Sequence, residues 1–404
     1  MSEKIKLSDL KKSNAGKRCM MATGFRNLDT ALGYRIYDDI TGQFSHVNRG
    51  ILSGSLVTVI GVSHVGKSAL CSQWSVDLVK SYILNKDERV KIHVFDTEGG
   101  VNRERFRVTS KLTREQLNNH VIFHNTPTVE AVKKVILDDI TFKSDKNYEM
   151  IQTKNHIGEP VLMYHPTVIL IDSVTKLVTN KVVEIKNDTT NAMYMQVAGE
   201  IDRFLKQNGL KMQEYNITLI TTAHTGKDLG DISNPMARPK RKWRYLPASL
   251  SIKAPDSMVY DGSIGIYLDT IIAKDPEGVE KAASWLKGSK SIISGIIYKS
   301  RQPGEGATFT LVQDETGFDP LKSFLFNCQQ NGILQSKPGY REVEGYGKVK
   351  NDEIMSTFIK DPSFRQVLFQ QYDALYDSKL DSSKLTVEDV NISNEIYNLM
   401  MDEF

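Results

Sequence analysis

The stretch GVSHVGKS, which runs from Gly61 to Ser68, has residue types and a spacing that can bind a phosphate chain. It fits the pattern G-x-x-x-x-G-K-[ST] and directly follows the apolar run Ser55–Ile60. The glycines let backbone N–H groups face phosphate oxygens, Lys67 would reach the terminal phosphates, and the Ser68 hydroxyl would ligate Mg²⁺. A fortuitous glycine turn between a strand and a helix is the alternative. We predict a site for ATP and Mg²⁺ with the nucleotide-binding residues Gly61, Val62, Ser63, His64, Val65, Gly66, Lys67, Ser68 and Ala69.

Two carboxylates follow apolar strand-like runs and would complete such a site. Asp172 ends the run Val168–Ile171, and Glu98 follows the run Val90–Phe95. A phosphate-binding loop needs a second carboxylate to hold the metal, so we assign Asp172, together with Ser68, to Mg²⁺. Glu98 would be the base that orients water at the γ-phosphate. The alternatives are an aspartate that caps the turn after its strand and an ordinary loop acid.

A histidine ends another apolar run and precedes a long loop. The run ITLITTAH spans Ile217–His224. A polar residue at this position would sense the γ-phosphate and report it to the loop, which would make it a switch. A histidine that simply caps the end of a strand fits the spacing equally well.

The loop Gly226–Lys253 concentrates positive charge, with seven basic and two acidic residues and with aromatic rings among the cations. Basic groups neutralise a phosphate backbone, and aromatic rings stack on unpaired bases for about 1–3 kcal/mol per base. The combination predicts binding of single-stranded nucleic acid, with a solvated basic loop or a nuclear-localisation tract as the alternatives. The predicted DNA-binding residues are Arg238, Lys240, Arg241, Lys242, Trp243, Arg244 and Tyr245.

Apolar strands alternate with helical stretches through the first two thirds of the chain. We predict helices over Lys67–Leu84 and Thr190–Gln207, and strands over Val90–Phe95, Thr167–Asp172 and Ile217–His224. This alternation indicates an α/β fold with a mostly parallel sheet flanked by helices. Later runs such as SIGIYL, SIISGIIY and ATFTLVQ predict an antiparallel extension of the sheet. A small, mainly helical C-terminal region is predicted after a boundary near residues 319 and 320.

Length and composition set the broad class. With 404 residues, the chain is long enough for two or three domains, and we predict an N-terminal arm over 1–22, a core over 23–319 and a C-terminal domain with an acidic tail over 320–404. The arm is polar and lysine-rich, with little to bury. Three widely spaced cysteines indicate a reducing compartment, and no apolar run approaches the ~20 residues of a membrane span. We therefore expect a soluble, cytoplasmic protein without a membrane partner.

The motifs GVSHVGKS, VFDTEGG and VILIDSV, followed by a strand with a polar end and a long loop, resemble in their order those of RecA-family recombinases. The chain is most similar to the UvsX-type recombinases of tailed phages, in which the strand before the second DNA-binding loop ends in histidine, as TTAH does here. The run IIYKSRQPGEGATFTLVQDETGFDPLKSFL also resembles that group. The resemblance covers roughly residues 23–335 and implies a RecA-like P-loop NTPase core.

Specific roles follow from this resemblance. It implies a DNA-dependent ATPase with DNA-binding loops over 176–196 and 225–256. Lys299 and Arg301 match the paired cations that recombinases insert into the ATP site of the neighbouring subunit, although a surface turn is the alternative. The implied catalytic residues are Lys67, Glu98, His224, Lys299 and Arg301.

The implied partners are single-stranded and duplex DNA, further copies of the chain in a helical filament, a mediator and a single-strand-binding protein. Such a protein promotes homologous pairing and strand exchange in recombination and repair, in the host cytoplasm if it is encoded by a phage. Two other functions fit the same motifs: a replicative helicase core that forms hexameric rings, and a DNA-coating protein that binds ATP but scarcely hydrolyses it. The acidic tail would compete with DNA for the basic groove, or would be solvated surface charge.

Overall fold

A mixed sheet lies at the centre of the computed structural model, which describes residues 5–6, 18–37, 44–125, 127–155, 159–180, 191–227, 243–273, 275–302 and 304–376. Within these residues the strands are β1 (Ile5–Lys6), β2 (Met20–Met21), β3 (Tyr34–Tyr37), β4 (Phe44–Asn48), β5 (Ile51–Leu52), β6 (Leu56–Gly61), β7 (Lys91–Asp96), β8 (Val121–His124), β9 (Ile151–Lys154), β10 (Pro160–Met163), β11 (Thr167–Asp172), β12 (Ile217–Lys227), β13 (Leu250–Lys253), β14 (Ile264–Ala273), β15 (Ser291–Ser300), β16 (Thr308–Gln313), β17 (Phe318–Asp319), β18 (Gln335–Lys337), β19 (Tyr340–Val343) and β20 (Gly347–Lys350).

The α-helices of the described residues lie mainly between the strands of the sheet and at the C-terminal end. They span Arg26–Leu32, Lys67–Asp77, Lys80–Leu84, Arg103–Thr109, Arg114–His120, Val129–Lys143, Asn191–Glu214, Pro276–Ala282, Pro320–Gln330, Ile354–Lys360 and Pro362–Tyr376. Shorter helical turns span Val174–Lys176, Ser257–Asp261 and Ser284–Leu286. None of these helices combines the length and the apolar character that crossing a lipid bilayer requires.

The central sheet has the strand order β17-β16-β15-β14-β6-β12-β11-β7-β8, and β13 pairs with the far end of β12. In this order every pair of neighbouring strands from β14 to β8 is parallel. The pairs β14–β15, β15–β16 and β16–β17 are antiparallel. The predicted α/β fold, with a mostly parallel sheet, flanking helices and an antiparallel extension, is confirmed.

Both faces of the sheet are buried, which explains why its strands are apolar runs rather than alternating ones. In β11, Val168 and Leu170 join the apolar cluster under the helix that follows β6. Ile169 and Ile171 point to the other face and join the cluster under the helix that follows β8. Since each such side chain contributes about 1.5–3 kcal/mol when it is buried, the two clusters hold the strands in register.

Two predicted helices differ in extent from the observed ones. The helix predicted over Lys67–Leu84 is interrupted after Asp77, and a separate short helix follows. The helix predicted over Thr190–Gln207 continues to Glu214 and stops before Asn216, a buried residue with a left-handed backbone (φ 55°). A left-handed residue ends a helix because it turns the chain away from the helical path.

Residues 18–22, at the end of the predicted N-terminal arm, are less exposed than the polar composition of the arm predicts. Strand β2 pairs with β5, and Cys19 and Met21 are buried in the main core. Further upstream, β1 pairs in parallel with β3. The end of the predicted arm is therefore built into the core by its few apolar residues, and the domain boundary at residue 22 stays a prediction.

The C-terminal region begins with a helix at Pro320, where Asp319 caps the first turn by accepting a hydrogen bond from the backbone N–H of Lys322 at 2.9 Å. Two further helices and the antiparallel sheet β18-β19-β20 follow, and the sheet was not predicted. The mainly helical character is confirmed. The predicted acidic tail comprises the last 34 residues, from Gln371, and its part from residue 377 onward lies outside the described residues.

A buried ion cluster ties the last described helix to the N-terminal part of the chain. Asp373 accepts from Arg26 Nη2 at 2.8 Å, from Arg49, and from the Thr30 hydroxyl at 3.1 Å. The Arg26 guanidinium also lies 4.5 Å from the ring centroid of Phe369. Burial alone would raise the pKa of Asp373, but the charges of the two arginines lower it below its ordinary value. Helix Pro362–Tyr376 is therefore held by charge as well as by apolar packing.

We expect Asp373→Asn to lower the free energy of unfolding by roughly 3–5 kcal/mol, because it removes the carboxylate that two buried guanidinium groups share. Because the pKa of Asp373 is lowered in the folded state, its stabilisation is present above the unfolded pKa of about 4 and is lost as the pH falls through the folded pKa. Urea denaturation of both proteins measures the difference, with the exposed Asp352→Asn as the matched control. Equal stability of the two variants would contradict the role of the cluster.

Candidate active site

The carboxyl ends of four adjacent parallel strands, β6, β12, β11 and β7, meet at one edge of the sheet and carry the predicted site residues. A cleft of about 450 Å³ opens there. Its walls include the predicted residues Ser63, His64, Gly66, Lys67, Ser68, Ala69, Glu98, Asp172 and His224. Of the other predicted nucleotide-binding residues, Val65 is buried in the core, Val62 is exposed, and Gly61 is the last residue of β6.

The loop between β6 and the following helix has the backbone that a phosphate cradle requires. Gly66 is left-handed (φ 86°) and stands at the N-terminus of helix Lys67–Asp77. A Cβ atom on Gly66 would lie 2.7 Å from the ring of Phe318, so only glycine fits there. His64 is also left-handed (φ 65°), which is uncommon for a residue other than glycine. The free N–H groups of the helix start can therefore face an anion in the cleft.

Lys67 is folded back onto its own loop. Its side chain is buried, and Nζ donates to the carbonyl oxygens of Val62 at 2.8 Å and Gly61 at 3.1 Å. Burial lowers the pKa of Lys67, and the nearby carboxylates of Asp172 and Glu98 oppose that shift. An anion in the cleft would offer this ammonium group a stronger partner than neutral carbonyls do.

Asp172 and Ser68 form an oxygen pair that suits a hard cation. Burial raises the pKa of Asp172, whereas hydrogen bonds from Ser68 and from Thr222 lower it. The Thr222 hydroxyl donates to Asp172 Oδ1 at 2.5 Å. No group of three or more potential His, Cys, Asp or Glu ligands occurs among the described residues. A Mg²⁺ ion here would therefore take two protein ligands and complete its shell with phosphate and water oxygens, as it commonly does.

Glu98 sits on a loop that is organised by Asp96. Asp96 Oδ1 accepts from the backbone N–H of Glu98 at 3.0 Å and of Gly99 at 2.9 Å, and Oδ2 accepts from Val101 at 2.8 Å. A carboxylate that collects several backbone N–H groups fixes the path of a loop which otherwise has glycines and an exposed surface. Asp96 therefore positions Glu98 without facing the cleft itself.

The Glu98 carboxylate meets His224 directly. His224 Nε2 donates to Glu98 Oε1 at 2.6 Å, and the Ser173 hydroxyl donates to the same oxygen at 2.9 Å. Burial would raise the pKa of Glu98, but these two hydrogen bonds lower it below its usual value. The carboxylate is therefore ionised at neutral pH and can accept a proton, and it is bound to the strand end that precedes the long loop.

Several residues of this site have no distinct pattern in the sequence. The Thr175 hydroxyl accepts from the His224 backbone N–H at 3.1 Å and donates to the Lys253 carbonyl at 2.8 Å, so it links β12 to β13. Thr222 lies two positions before His224 and so faces the same side of β12. Lys176 also lines the cleft. A hydroxyl residue shortly after a strand-terminal carboxylate is the one signal that would have found Thr175, and no local signal would have found Thr222.

A second cleft, of about 410 Å³, adjoins the first one. It shares Ala69, Arg105 and Gln313 with the first cleft, and its walls add polar residues such as Asn102 and Thr316. If phosphates occupied the loop before helix Lys67–Asp77, this second cleft would offer room for the nucleoside part of the same molecule.

The structure does not bring Lys299 and Arg301 to this cleft. Lys299 on β15 is the strand partner of Gly265 on β14, and Gly265 is in turn the partner of Thr58 on β6. Thr58 lies toward the amino end of β6, whereas the cleft lies at the carboxyl end. Its Nζ donates to the carbonyl oxygens of Val259, at 3.0 Å, and of Tyr260. Burial and the charge of Arg301 lower the pKa of Lys299 to about 8. Neither cation can therefore act on the cleft of its own chain in this arrangement.

The predicted DNA-binding residues divide into two groups. Arg238, Lys240, Arg241 and Lys242 lie outside the described residues. Trp243 is half-buried and stacks on Tyr260, with ring centroids 4.9 Å apart, while its edge contacts Tyr298. Arg244 is exposed, and its guanidinium lies 5.3 Å from the ring of the half-buried Tyr245. Trp243 therefore already has aromatic partners within the protein.

Antiparallel pairing of β12 and β13 makes a hairpin around the basic loop. His224 is paired with Lys253, and Lys227 with Leu250. The segment between these strands contains the basic run, so its two ends are fixed at the edge of the cleft. His224, which contacts Glu98, therefore belongs to the hairpin that leads into the loop.

Comparison with protein-family models matches residues 38–230 to an AAA domain, the AAA_25 family. The matched range, just under half of the chain, includes the loop Gly61–Ser68, Glu98, Asp172 and His224. A search of curated protein sequences finds no significant match. Together with the sheet order and the cleft, the match shows that the chain contains a P-loop NTPase domain of the RecA-like and AAA type.

Proposed function

We propose that this protein is a DNA-dependent ATPase that forms filaments on single-stranded DNA and promotes homologous pairing and strand exchange. The observation that carries the proposal is the 2.6 Å hydrogen bond between Glu98 and His224. This bond joins Glu98, the group best suited to activate water, to His224 on β12, the strand that leads into the basic loop. A nucleotide-dependent grip on DNA requires such a link between the chemistry and the binding surface.

ATP would lie with its phosphates in the cleft. Lys67 would exchange the carbonyls of its own loop for phosphate oxygens, and the backbone N–H groups at the start of helix Lys67–Asp77 would bind the phosphate chain. Ser68 and Asp172 would hold Mg²⁺, which neutralises phosphate charge when it is bound. The hydrogen bond from Thr222 keeps Asp172 oriented toward Ser68.

Glu98 would take the proton of the attacking water, for which its ionised carboxylate is suited. To do so it exchanges the hydrogen bond from His224 for one from water. His224 is then free to donate to the γ-phosphate, and its movement is transmitted through the β12–β13 hairpin to the loop. Hydrolysis removes the γ-phosphate, so the loop returns to its earlier position and releases the DNA. The energy of ATP is thus used to switch the affinity for DNA.

Lys299 and Arg301 would complete the ATP site of a neighbouring subunit. They lie away from the cleft of their own chain, and an assembled filament would bring them to the cleft of the next copy. Duplex DNA, a mediator and a single-strand-binding protein would be further partners, because the motifs of the chain resemble those of UvsX-type recombinases. The proposed location is the cytoplasm, where the single-stranded and duplex DNA partners would be found.

Electron microscopy with single-stranded DNA, Mg²⁺ and a slowly hydrolysed ATP analogue tests the assembly. We expect helical filaments that require both DNA and nucleotide, and we expect Lys299→Ala with Arg301→Ala to disrupt them or to reduce ATP turnover within them. The exposed pair Lys281 and Lys287, changed to alanine, serves as the control. Closed six-fold rings would contradict the filament and favour a replicative helicase.

We expect Glu98→Gln to lower ATP turnover by about 10²–10⁴-fold, the usual contribution of a general base, while ATP and DNA binding are kept. The glutamine carbonyl can still accept a hydrogen bond from His224, so the site keeps its shape. Steady-state phosphate release and the rate of DNA dissociation measure the two effects. Exposed Glu115→Gln is the control. Rapid turnover by Glu98→Gln would remove this residue from its role.

Neutralising Lys240, Arg241 and Lys242 together should flatten the salt dependence of single-stranded DNA binding. Each phosphate contact contributes a slope of about 0.7 on the logarithmic scale, so three lost contacts lower the slope by about 2. The measurement is a series of equilibrium titrations at increasing salt, with Lys281, Lys287 and Lys290, three exposed lysines elsewhere, changed to alanine as the control. An unchanged slope would mean that the basic run does not contact DNA.

A further inference from the structure

Lys176 occupies a position in the cleft that the sequence does not predict. By resemblance it is the first residue of a DNA-binding loop, yet its side chain lines the same cleft as Lys67 and Glu98. Its Nζ lies 3.8 Å from Glu98 Oε1, and 57% of its side chain is exposed. A third donor therefore stands beside the carboxylate oxygen that already accepts from His224 and Ser173.

The backbone that carries Lys176 is firmly held. Its N–H donates to the Ser173 carbonyl at 3.3 Å, and Ser173 is bound on both sides of its backbone to the Thr97 hydroxyl at 2.8 Å. The neighbouring Thr175 is anchored to β12 and β13. The start of the side chain is thus fixed at the cleft, while its ammonium group is free to reach into it.

The contact between Lys176 and Glu98 is one that an anion can replace. A partly exposed pair at 3.8 Å is weak, because water screens it and holding the flexible lysine costs entropy. Lys67 is different, since it is buried and bound to the loop carbonyls on the other wall. Arg105, the other Lys or Arg residue among the described lining residues, donates to the Gly100 carbonyl at 3.3 Å. Lys176 is therefore the exposed and weakly paired lysine on the Glu98 side.

We propose that Lys176 is a phosphate-binding residue which contacts the terminal phosphate of a nucleoside triphosphate bound to the same chain and leaves Glu98 when it does so. The inference rests on the proposed function only in that the cleft binds a triphosphate. It gives the site a cation from its own chain opposite Lys67, and it couples arrival of the third phosphate to release of the Glu98 carboxylate. A diphosphate lacks the group that Lys176 would contact.

The test compares the affinities of Lys176→Ala for a non-hydrolysed ATP analogue and for ADP, each with Mg²⁺, by equilibrium titration. We expect the variant to bind the triphosphate about tenfold more weakly and ADP as the wild type does, because only the triphosphate loses a charge-assisted hydrogen bond. Lys176→Arg should recover most of the triphosphate affinity. Lys134→Ala, an exposed lysine on the helix after β8, is the matched control.

An equal loss for the two nucleotides, or no loss for either, would overturn the inference. So would a loss of nucleotide-free DNA binding with an unchanged preference for triphosphate, which would make Lys176 a DNA contact. Lys67→Ala separates this result from the wider proposal. If the wild type binds the triphosphate and Lys67→Ala does not, the nucleotide site stands whatever Lys176 does. If the wild type binds neither nucleotide, the proposed function and the inference both fail.

Discussion

The register of four parallel strands is the constraint on which the rest of the site depends. His224 is the partner of Gly61 in adjacent strands, and Asp172 is the partner of Asp96. These pairs place the phosphate loop, the metal-type carboxylate and the Glu98 loop at one edge. Because side chains alternate along a strand, a shift of one residue would turn Thr222 and His224 to the opposite face. The buried apolar clusters on the two faces oppose such a shift, so packing far from the cleft fixes its chemistry.

Within that frame the charged groups of the cleft satisfy one another. Lys67 donates to carbonyls, Asp172 accepts from two hydroxyls, and Glu98 accepts from His224 and Ser173. Unpartnered charges in such a place would cost several kcal/mol, so these contacts stabilise the site in the absence of substrate. Binding of a triphosphate would then proceed as an exchange of partners. Because each of these protein groups would exchange one partner for another, none of them would be left buried and unpaired.

The sequence predicts what is local and misses what depends on strand neighbours. The loop from Gly61 to Ser68, together with Asp172 and Glu98, could be found because each lies at a strand end with its own short pattern. Thr222 could not, because its partner Asp172 lies 50 residues away on a strand whose adjacency has no local pattern. The stacking of Trp243 on Tyr260 likewise has no local pattern, and binding of DNA by Trp243 stays a prediction. Helix ends and the C-terminal sheet were missed because tertiary packing, more than propensity, decides them.

The ion cluster around Asp373 decides where the chain can be shortened. Asp373 and Arg26 lie 347 positions apart in the sequence, yet they form one buried ion pair. A protease cut or an early stop after Tyr376 would remove residues 377–404, which hold most of the acidic residues of the predicted tail, and would leave the cluster whole. A cut a few residues earlier, before Asp373, would remove the carboxylate that Arg26 and Arg49, both buried, share. Truncations that study the tail should therefore end after Tyr376, because in a shorter chain the loss of folding would be mistaken for an effect of the tail.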